Sequence, residues 1–452
     1  MIKLSNKYNF LWLSILVAAF VALMQVLSNE IGLIISLGLY ILLAVVASAY
    51  KMTAPILAFF LPWAPLLKIR PGTISMYTVF LLAALLILFL RNIKHFPILH
   101  FFPAVLLFAL TISVKTVTNE PIDTGYIVFF CCLMLFPLVA SEKEKKYDFY
   151  ALVLFFALGI ITSALSAKQL MVFPTISRYI VIHSYQSITR LSGYYGDPNF
   201  YSAHITAAIS GMLILMFNER KVSRRMSLYA LLAVLLYCGF LSVSKTFALI
   251  MICIMLFWII EVMFRKGKVS TKIMLILALA VGCIFVLSSV LFTDLIDMIV
   301  SRFIDSGSSL SDLTTGRTDI WNSYFRAFEE NPAILIFGKG FTDELVNDSA
   351  SHNIVIQSIY QLGLIGTLLM LIWIWTYAKN VLNRISISSR NIVQSLILAM
   401  GAFGPWMSID PLKFDELFIM PFIVFMGIIY IEKGPESAVE LSDNIGELNE
   451  TE

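Results

Sequence analysis

Apolar runs of roughly 17–25 residues recur along the chain, each long enough to cross a bilayer core as a helix. Within hydrocarbon every backbone amide must find its partner inside the structure, so runs of this kind restrict a chain to a bundle of helices. Fourteen of them fall near 10–28, 31–50, 53–67, 75–91, 98–116, 124–140, 148–167, 197–217, 226–243, 247–264, 273–292, 354–377, 391–408 and 413–431. The third and the last are short or broken by proline, which leaves twelve to fourteen spans. A hydrophobic content of 59% against 13% charged residues lies outside the soluble globular range and supports the same reading. The expected fold is all-α: a polytopic integral membrane protein of about 12–14 transmembrane helices with a partly helical outward-facing loop.

Charge between the runs predicts an orientation. The groups Lys3/Lys7, Lys51, Arg91/Lys94, Lys143/Lys145/Lys146, Arg220/Lys221/Arg224/Arg225, Arg265/Lys266/Lys268 and Lys379/Arg384 fall on one side when fourteen spans are threaded. Basic loops stay cytoplasmic, so that side and both termini are expected inside. Lys68, Arg70 and Lys115 stand on the other side as exceptions. Segments 168–196, 293–352 and 409–412 then face outward, with the tight turn at 242–246. The first helix follows Lys3 and Lys7, has no small-residue cleavage site after it, and reads as a retained span rather than a signal peptide. One membrane domain covers residues 1–431, including the outer loop 293–352. Residues 432–452 form an acidic tail without apolar period, expected to be disordered in the cytoplasm. Cys131, Cys132, Cys238, Cys253 and Cys283 all lie in apolar runs and read as small buried hydrophobes, so no disulfide framework or thiolate metal site is indicated.

Chemistry in so apolar a chain concentrates in the polar interruption from Thr293 to His352. Ile320, Trp321, Tyr324, Phe325 and Phe328 recur there at helical spacing until Asn331-Pro332. That predicts a short amphipathic helix lying on the membrane or on the ends of other spans. The segment holds ten acidic and four basic residues, so any anion site in it must be local. Arg317 opens that helix after Gly316; a cation there opposes the helix dipole, a penalty that an anion held by the guanidinium and the first-turn amides would reverse. Standing alone, such an arginine is more often a solvated or headgroup-bound surface group. His352 precedes Asn353 and a long apolar run, where the positive helix end keeps an imidazole neutral and able to accept a proton. An isolated histidine there is more often an interfacial cap.

A second basic cluster lies upstream. Residues 168–196 hold Lys168, Arg178, His183 and Arg190 with no Asp or Glu, against the usual bias for an outer segment, and a polyanion site accounts for them. Asp197-Pro198 reads as an N-cap followed by the first helical residue. Lys245, in Ser242-Val243-Ser244-Lys245, either snorkels to headgroups or serves as a further phosphate ligand. The sequence has neither a phosphate-loop motif nor a His-Glu-x-x-His, which argues against a nucleotide-driven enzyme or a zinc hydrolase.

Taken in order, these residues resemble the O-antigen ligase and polymerase family. The resemblance rests on Arg190-Leu-Ser-Gly193 followed by Gly196-Asp197-Pro198-Asn199, on Ser242-Val-Ser-Lys245, on Gly316-Arg317 with Trp321, on Asn331-Pro332, on Gly338-Lys-Gly340 and on His352-Asn353. It covers residues 190–375 by motif and the first half by hydropathy alone. The family commonly has arginine where this chain has Lys245.

The resemblance implies metal-independent, inverting glycosyl transfer from an undecaprenyl-diphosphate-linked glycan at the outer face of the bacterial cytoplasmic membrane, without a cofactor. By that likeness Arg190, Arg317 and Lys245 would hold the diphosphate, and His352 would deprotonate or orient the acceptor hydroxyl. A polymerase of O-antigen, capsule or exopolysaccharide repeat units is the leading expectation. A ligase moving finished glycan onto lipid A–core or another acceptor shares the donor chemistry. A flippase or transporter of the same lipid-linked sugars would place ionisable groups near the bilayer midplane, whereas here they cluster at span ends. The implied partners are the lipid-linked glycans, the bilayer and other polysaccharide-assembly proteins, with no nucleic acid.

Overall fold

The computed structural model describes residues 4–70, 73–92, 101–122, 125, 127–128, 130–131, 148–177, 184–185, 188–195, 197–219, 222–264, 316–340, 346–382, 389–413 and 419–433. The run near 273–292, most of that near 124–140, Arg178, His183 and nearly all of the acidic tail lie outside them.

The described chain begins with α1 (Leu4–Val26), α2 (Glu30–Ala49), α3 (Thr53–Phe60, prolonged by a 3-10 turn, Leu61–Leu66), α4 (Met76–Asn92) and α5 (Phe102–Thr118). It continues with α6 (Phe149–Leu170), the single turn α7 (Pro174–Ser177), and a hairpin of β1 (Ser184–Tyr185) and β2 (Ile188–Thr189). Next come α8 (Pro198–Asn218), α9 (Val222–Leu241), α10 (Lys245–Phe264), α11 (Arg317–Glu330), α12 (Pro332–Phe337), α13 (Ile354–Leu382), α14 (Ser389–Phe403) and α15 (Ile419–Lys433). Seven helices are long and apolar enough to cross a membrane, and five shorter apolar helical stretches accompany them. Together they account for twelve of the fourteen apolar runs, and the protein is an all-α polytopic membrane protein. Among the described residues, the antiparallel β1–β2 pair is the one sheet.

Helix α8 is the axis of the bundle. Asp197 caps it by accepting from the Asn199 and Phe200 amides (2.6 and 3.3 Å), with Pro198 at the first helical position. This matches the cap expected from Asp197-Pro198 and satisfies amides that a helix start leaves open. Every residue of its apolar window is buried, as befits a helix surrounded by others rather than by lipid. Small residues set the approach of α14: the Thr206 hydroxyl donates to the Gly401 carbonyl at 2.7 Å, and a Cβ at Gly401 would lie 2.5 Å from Ser210. Close backbone approach through small and hydroxyl residues is the usual source of helix cohesion where burial from water contributes nothing.

The helix ends sort into two faces. On one, Lys7 at the start of α1 pairs with Asp148, which caps α6, while Arg224 near the start of α9 lies 3.7 Å from Glu219 at the end of α8. On the other, Gln25 at the end of α1 donates to the Leu66 and Lys68 carbonyls (3.0 and 2.9 Å), and Leu191 donates to Leu241 at the end of α9 (2.9 Å). Two of the three cations that depart from the charge bias, Arg70 and Lys115, are paired with carboxylates on this second face. Arg70 meets Glu30 at 3.1 Å, and buried Lys115 meets Glu120 at 2.8 Å, with Lys339 also 4.0 Å from Glu120. The Lys115 ammonium holds the Glu120 carboxyl below its usual range.

The run near 354–377 is not one continuous helix. Gly363 (φ 66°, ψ 176°) breaks α13, separating Ile354–Leu362 from the part that follows. The break frees carbonyls of the first segment, and the Lys339 amide donates to one of them, Tyr360, at 2.8 Å. Gly338 (φ 77°) sits directly on Gly363: a Cβ on either would come within about 2.5 Å of the other's amide nitrogen. The α11–α12 unit is thereby keyed into the break. Its apolar residues Tyr324, Phe328 and Ile334 form a separate small core with Ile356 and Tyr360. Tyr324 and Tyr360 pack edge-on with centroids 5.0 Å apart, a contact worth about 0.5–1.5 kcal/mol beyond area burial. The amphipathic helix therefore rests on the end of another helix, which was one of its two expected positions.

Candidate functional site

Four helices start on the second face near the sequence-selected residues: α8 after Asp197, α10 at Lys245, α11 at Arg317 and α13 after Asn353. Side chains cap three of them. Asp197 serves α8, Ser244 accepts from the Phe247 amide of α10 at 3.3 Å, and Asn353 accepts from Val355 and Ile356 at 2.9 and 3.4 Å. Helix α11 starts instead from Gly316, in the left-handed region, without a side-chain cap hydrogen bond. Lys245 and Arg317 are each the first residue of their helix, so in both places a cation stands beside outward-pointing amides. That pairing is suited to an anion.

Arg190 and Lys245 meet at the turn between α9 and α10. The Arg190 Nε donates to the Ser242 carbonyl at 3.0 Å, and Ser244 Oγ donates to Asn199 Oδ1 at 2.9 Å. The segment before α8, the start of α8 and the α9–α10 turn are thus one hydrogen-bonded unit.

Arg317 and His352 meet at a different turn, the one joining α14 to α15. A 3-10 helix (Gly404–Ser408) continues α14, and Arg317 donates through a terminal guanidinium nitrogen to the Ser408 carbonyl at 3.3 Å. Two residues on, Asp410 receives His352: the His352 amide donates to Oδ2 at 2.8 Å, and the ring Nδ1 lies 3.4 Å from the same oxygen. Ser351 Oγ donates to Asp410 Oδ1. His352 adopts φ 49°, a left-handed conformation that costs a β-carbon residue about 1–3 kcal/mol and persists only where its surroundings enforce it. Those surroundings are Asp410 on one side and the aromatic helix on the other, where Trp321 Nε1 donates to the Ser351 carbonyl at 2.9 Å. Tyr324 OH likewise donates to the Ser349 carbonyl at 2.9 Å, and burial pushes its phenol up to about 12, so it remains a donor.

The two turns belong to one face. Gly404, in the turn that leads to Ser408 and Asp410, packs so closely on Ile250 of α10 that a Cβ would lie 2.5 Å from its terminal carbon. Gln357 of α13 accepts from the Leu412 amide at 3.2 Å, tying the His352-bearing helix to the same connection. All four of the sequence-selected residues are partly exposed, as a group that meets a substrate must be. Sequence reading did not single out Asp410; the signal available was an acid-proline pair in the short connection 409–412.

Residues 230–371 match the family model described as O-antigen ligase. The matched segment contains Lys245, Arg317 and His352 and excludes Arg190 and Asp410. No curated protein matches the chain.

Proposed function

We propose that this chain, which carries the O-antigen ligase family domain, is a metal-independent inverting glycosyltransferase that polymerises undecaprenyl-diphosphate-linked oligosaccharide repeat units. The face bearing Arg190, Lys245, Arg317 and His352 lies on the outside of the bacterial cytoplasmic membrane, and both termini lie in the cytoplasm. The observation that carries the reading is the convergence of Arg317 and His352 on one turn, Ser408–Asp410, beside the unit that holds Arg190 and Lys245.

Two guanidinium groups and an ammonium bind the donor's diphosphate. Their charge is fixed before reaction, so they stabilise the departing anion without reorganising. His352 accepts the proton of the acceptor hydroxyl at Nε2. The acceptor oxygen then bonds to the anomeric carbon from the face opposite the phosphate, the C–O bond to the diphosphate breaks, and its electron pair leaves with the undecaprenyl diphosphate. Such proton transfer contributes about 10²–10⁴-fold to a rate. Helix α11 and the span ends around it offer the lipid an apolar approach, with Phe325 exposed on the outer side of α11.

The test is reconstitution of the purified chain in liposomes with a lipid-diphosphate oligosaccharide. Long glycan chains are the expected product. Transfer only to a separate acceptor would make the chain a ligase, and no transfer to either would overturn the reading.

A further inference from the structure

We propose that Asp410 is the positioning residue for His352: it fixes the backbone of His352 and holds the ring proton on Nδ1, which leaves Nε2 to act as the base. This inference rests on the functional reading above for its kinetic consequences but not for its structural ones.

A single carboxylate makes three approaches to two adjacent residues. Oδ1 receives the Ser351 hydroxyl, Oδ2 receives the His352 amide at 2.8 Å, and the His352 Nδ1 stands 3.4 Å from Oδ2. The Nδ1 contact is long and not aligned as a hydrogen bond, and among the described residues Nδ1 has no other hydrogen-bond partner. A small rotation of the ring closes it. Asp410 is well placed to hold rather than to react: its side chain is 16% exposed against 33% for His352. Both its oxygens are already engaged from the loop side, so its position is set before substrate arrives.

The connection that carries Asp410 also carries the Arg317 contact at Ser408, and its Leu412 amide is tied to Gln357 of α13. Among the described residues, the titratable groups facing this carboxylate are His352 from the start of α13 and Tyr324 of α11, whose phenol is raised in part by the Asp410 charge, while Arg317 is held two residues away at the Ser408 carbonyl. A carboxylate that orients a histidine and fixes its tautomer leaves the opposite nitrogen facing substrate. The arrangement links the diphosphate ligand Arg317 and the base His352 through two residues of one turn.

Asp410→Asn preserves the shape and keeps one acceptor oxygen for the His352 amide, while it removes the charge that attracts the ring proton and turns the group facing the Ser351 hydroxyl into a donor, which that hydroxyl can accept. In liposomes with lipid-linked donor it is expected to lower kcat about 10–100-fold, less than loss of the base itself, with donor KM changed less than about twofold. Added to His352→Ala it should lower turnover no further, because both changes act through one group. Magic-angle-spinning NMR of the full chain labelled with 15N-histidine gives an arm independent of turnover, the His352 signal being assigned by its loss in His352→Gln. The wild type should show Nδ1 protonated and Nε2 bare when the ring is neutral, and Asp410→Asn should show mixed tautomers. A wild-type ring protonated at Nε2, or losses that multiply in the double variant, would overturn the proposal. Absence of glycan transfer by the wild type would remove the functional reading and leave the tautomer result standing.

Discussion

His352 is the residue whose surroundings do most to define its chemistry. Its left-handed backbone places the ring beside Asp410 instead of letting it follow the helix that begins at Ile354. His352→Ala is expected to abolish turnover, a loss of about 10²–10⁴-fold, while donor binding is retained. Arg317→Ala is expected to weaken donor binding or slow the chemical step, and parallel turnover and donor-binding measurements separate the two residues. Wild-type turnover by His352→Ala would remove the base assignment. At Lys245 the chain has lysine where the resemblance leads to the expectation of arginine, and the structure places the lysine at the first position of α10. A compact ammonium beside helix amides can serve one phosphate oxygen where a guanidinium would serve two. Lys245→Arg is therefore expected to keep donor affinity within a few-fold of wild type, and Lys245→Ala to lower it, both read by donor titration.

At the scale of elements, residues 316–340 of the polar interruption form a folded unit keyed into a broken helix. Periodicity showed α11 and its stop at Asn331-Pro332, because amphipathic spacing and a proline boundary are local properties. It did not show the break at Gly363, since a single glycine in a long apolar run looks the same whether it bends or continues the helix. What decides is the partner: Gly338 approaches so closely that neither glycine has room for a Cβ. Gly363→Ala would bring its methyl to 2.3 Å from the Ile336 carbonyl oxygen in a backbone conformation an L-residue resists. The expected result is release of α11–α12 from α13, at a cost above about 1 kcal/mol. Limited proteolysis should then cut the chain between Gly338 and Asn353 while the spans stay intact, and unchanged protection there would contradict the interlock.

At the scale of the molecule, the two faces of the bundle predict what a membrane-impermeant thiol reagent can reach. In a chain whose cysteines are replaced by alanine, Asp348→Cys should be labelled from outside in intact spheroplasts. Met226→Cys, exposed near the start of α9 on the opposite face, should be labelled only after permeabilisation. The reverse pattern would invert the proposed orientation. The sequence by itself determined the class of fold and the residues worth watching. Hydropathy marks spans one by one, since each helix satisfies its own backbone, and twelve of the runs appear as apolar helical stretches. Motif order brought Arg190, Lys245, Arg317 and His352 into one hypothesis without showing whether they meet. Only the tertiary structure decided that. The meeting points are the Ser242 and Ser408 carbonyls and the Asp410 carboxylate, on turns remote in sequence from some of the residues they hold. Which turns share a face depends on how α8 packs against α9, α10 and α14. That packing comes from contacts between side chains on different helices, the Thr206–Gly401 approach of α8 and α14 among them, which no single stretch of sequence contains.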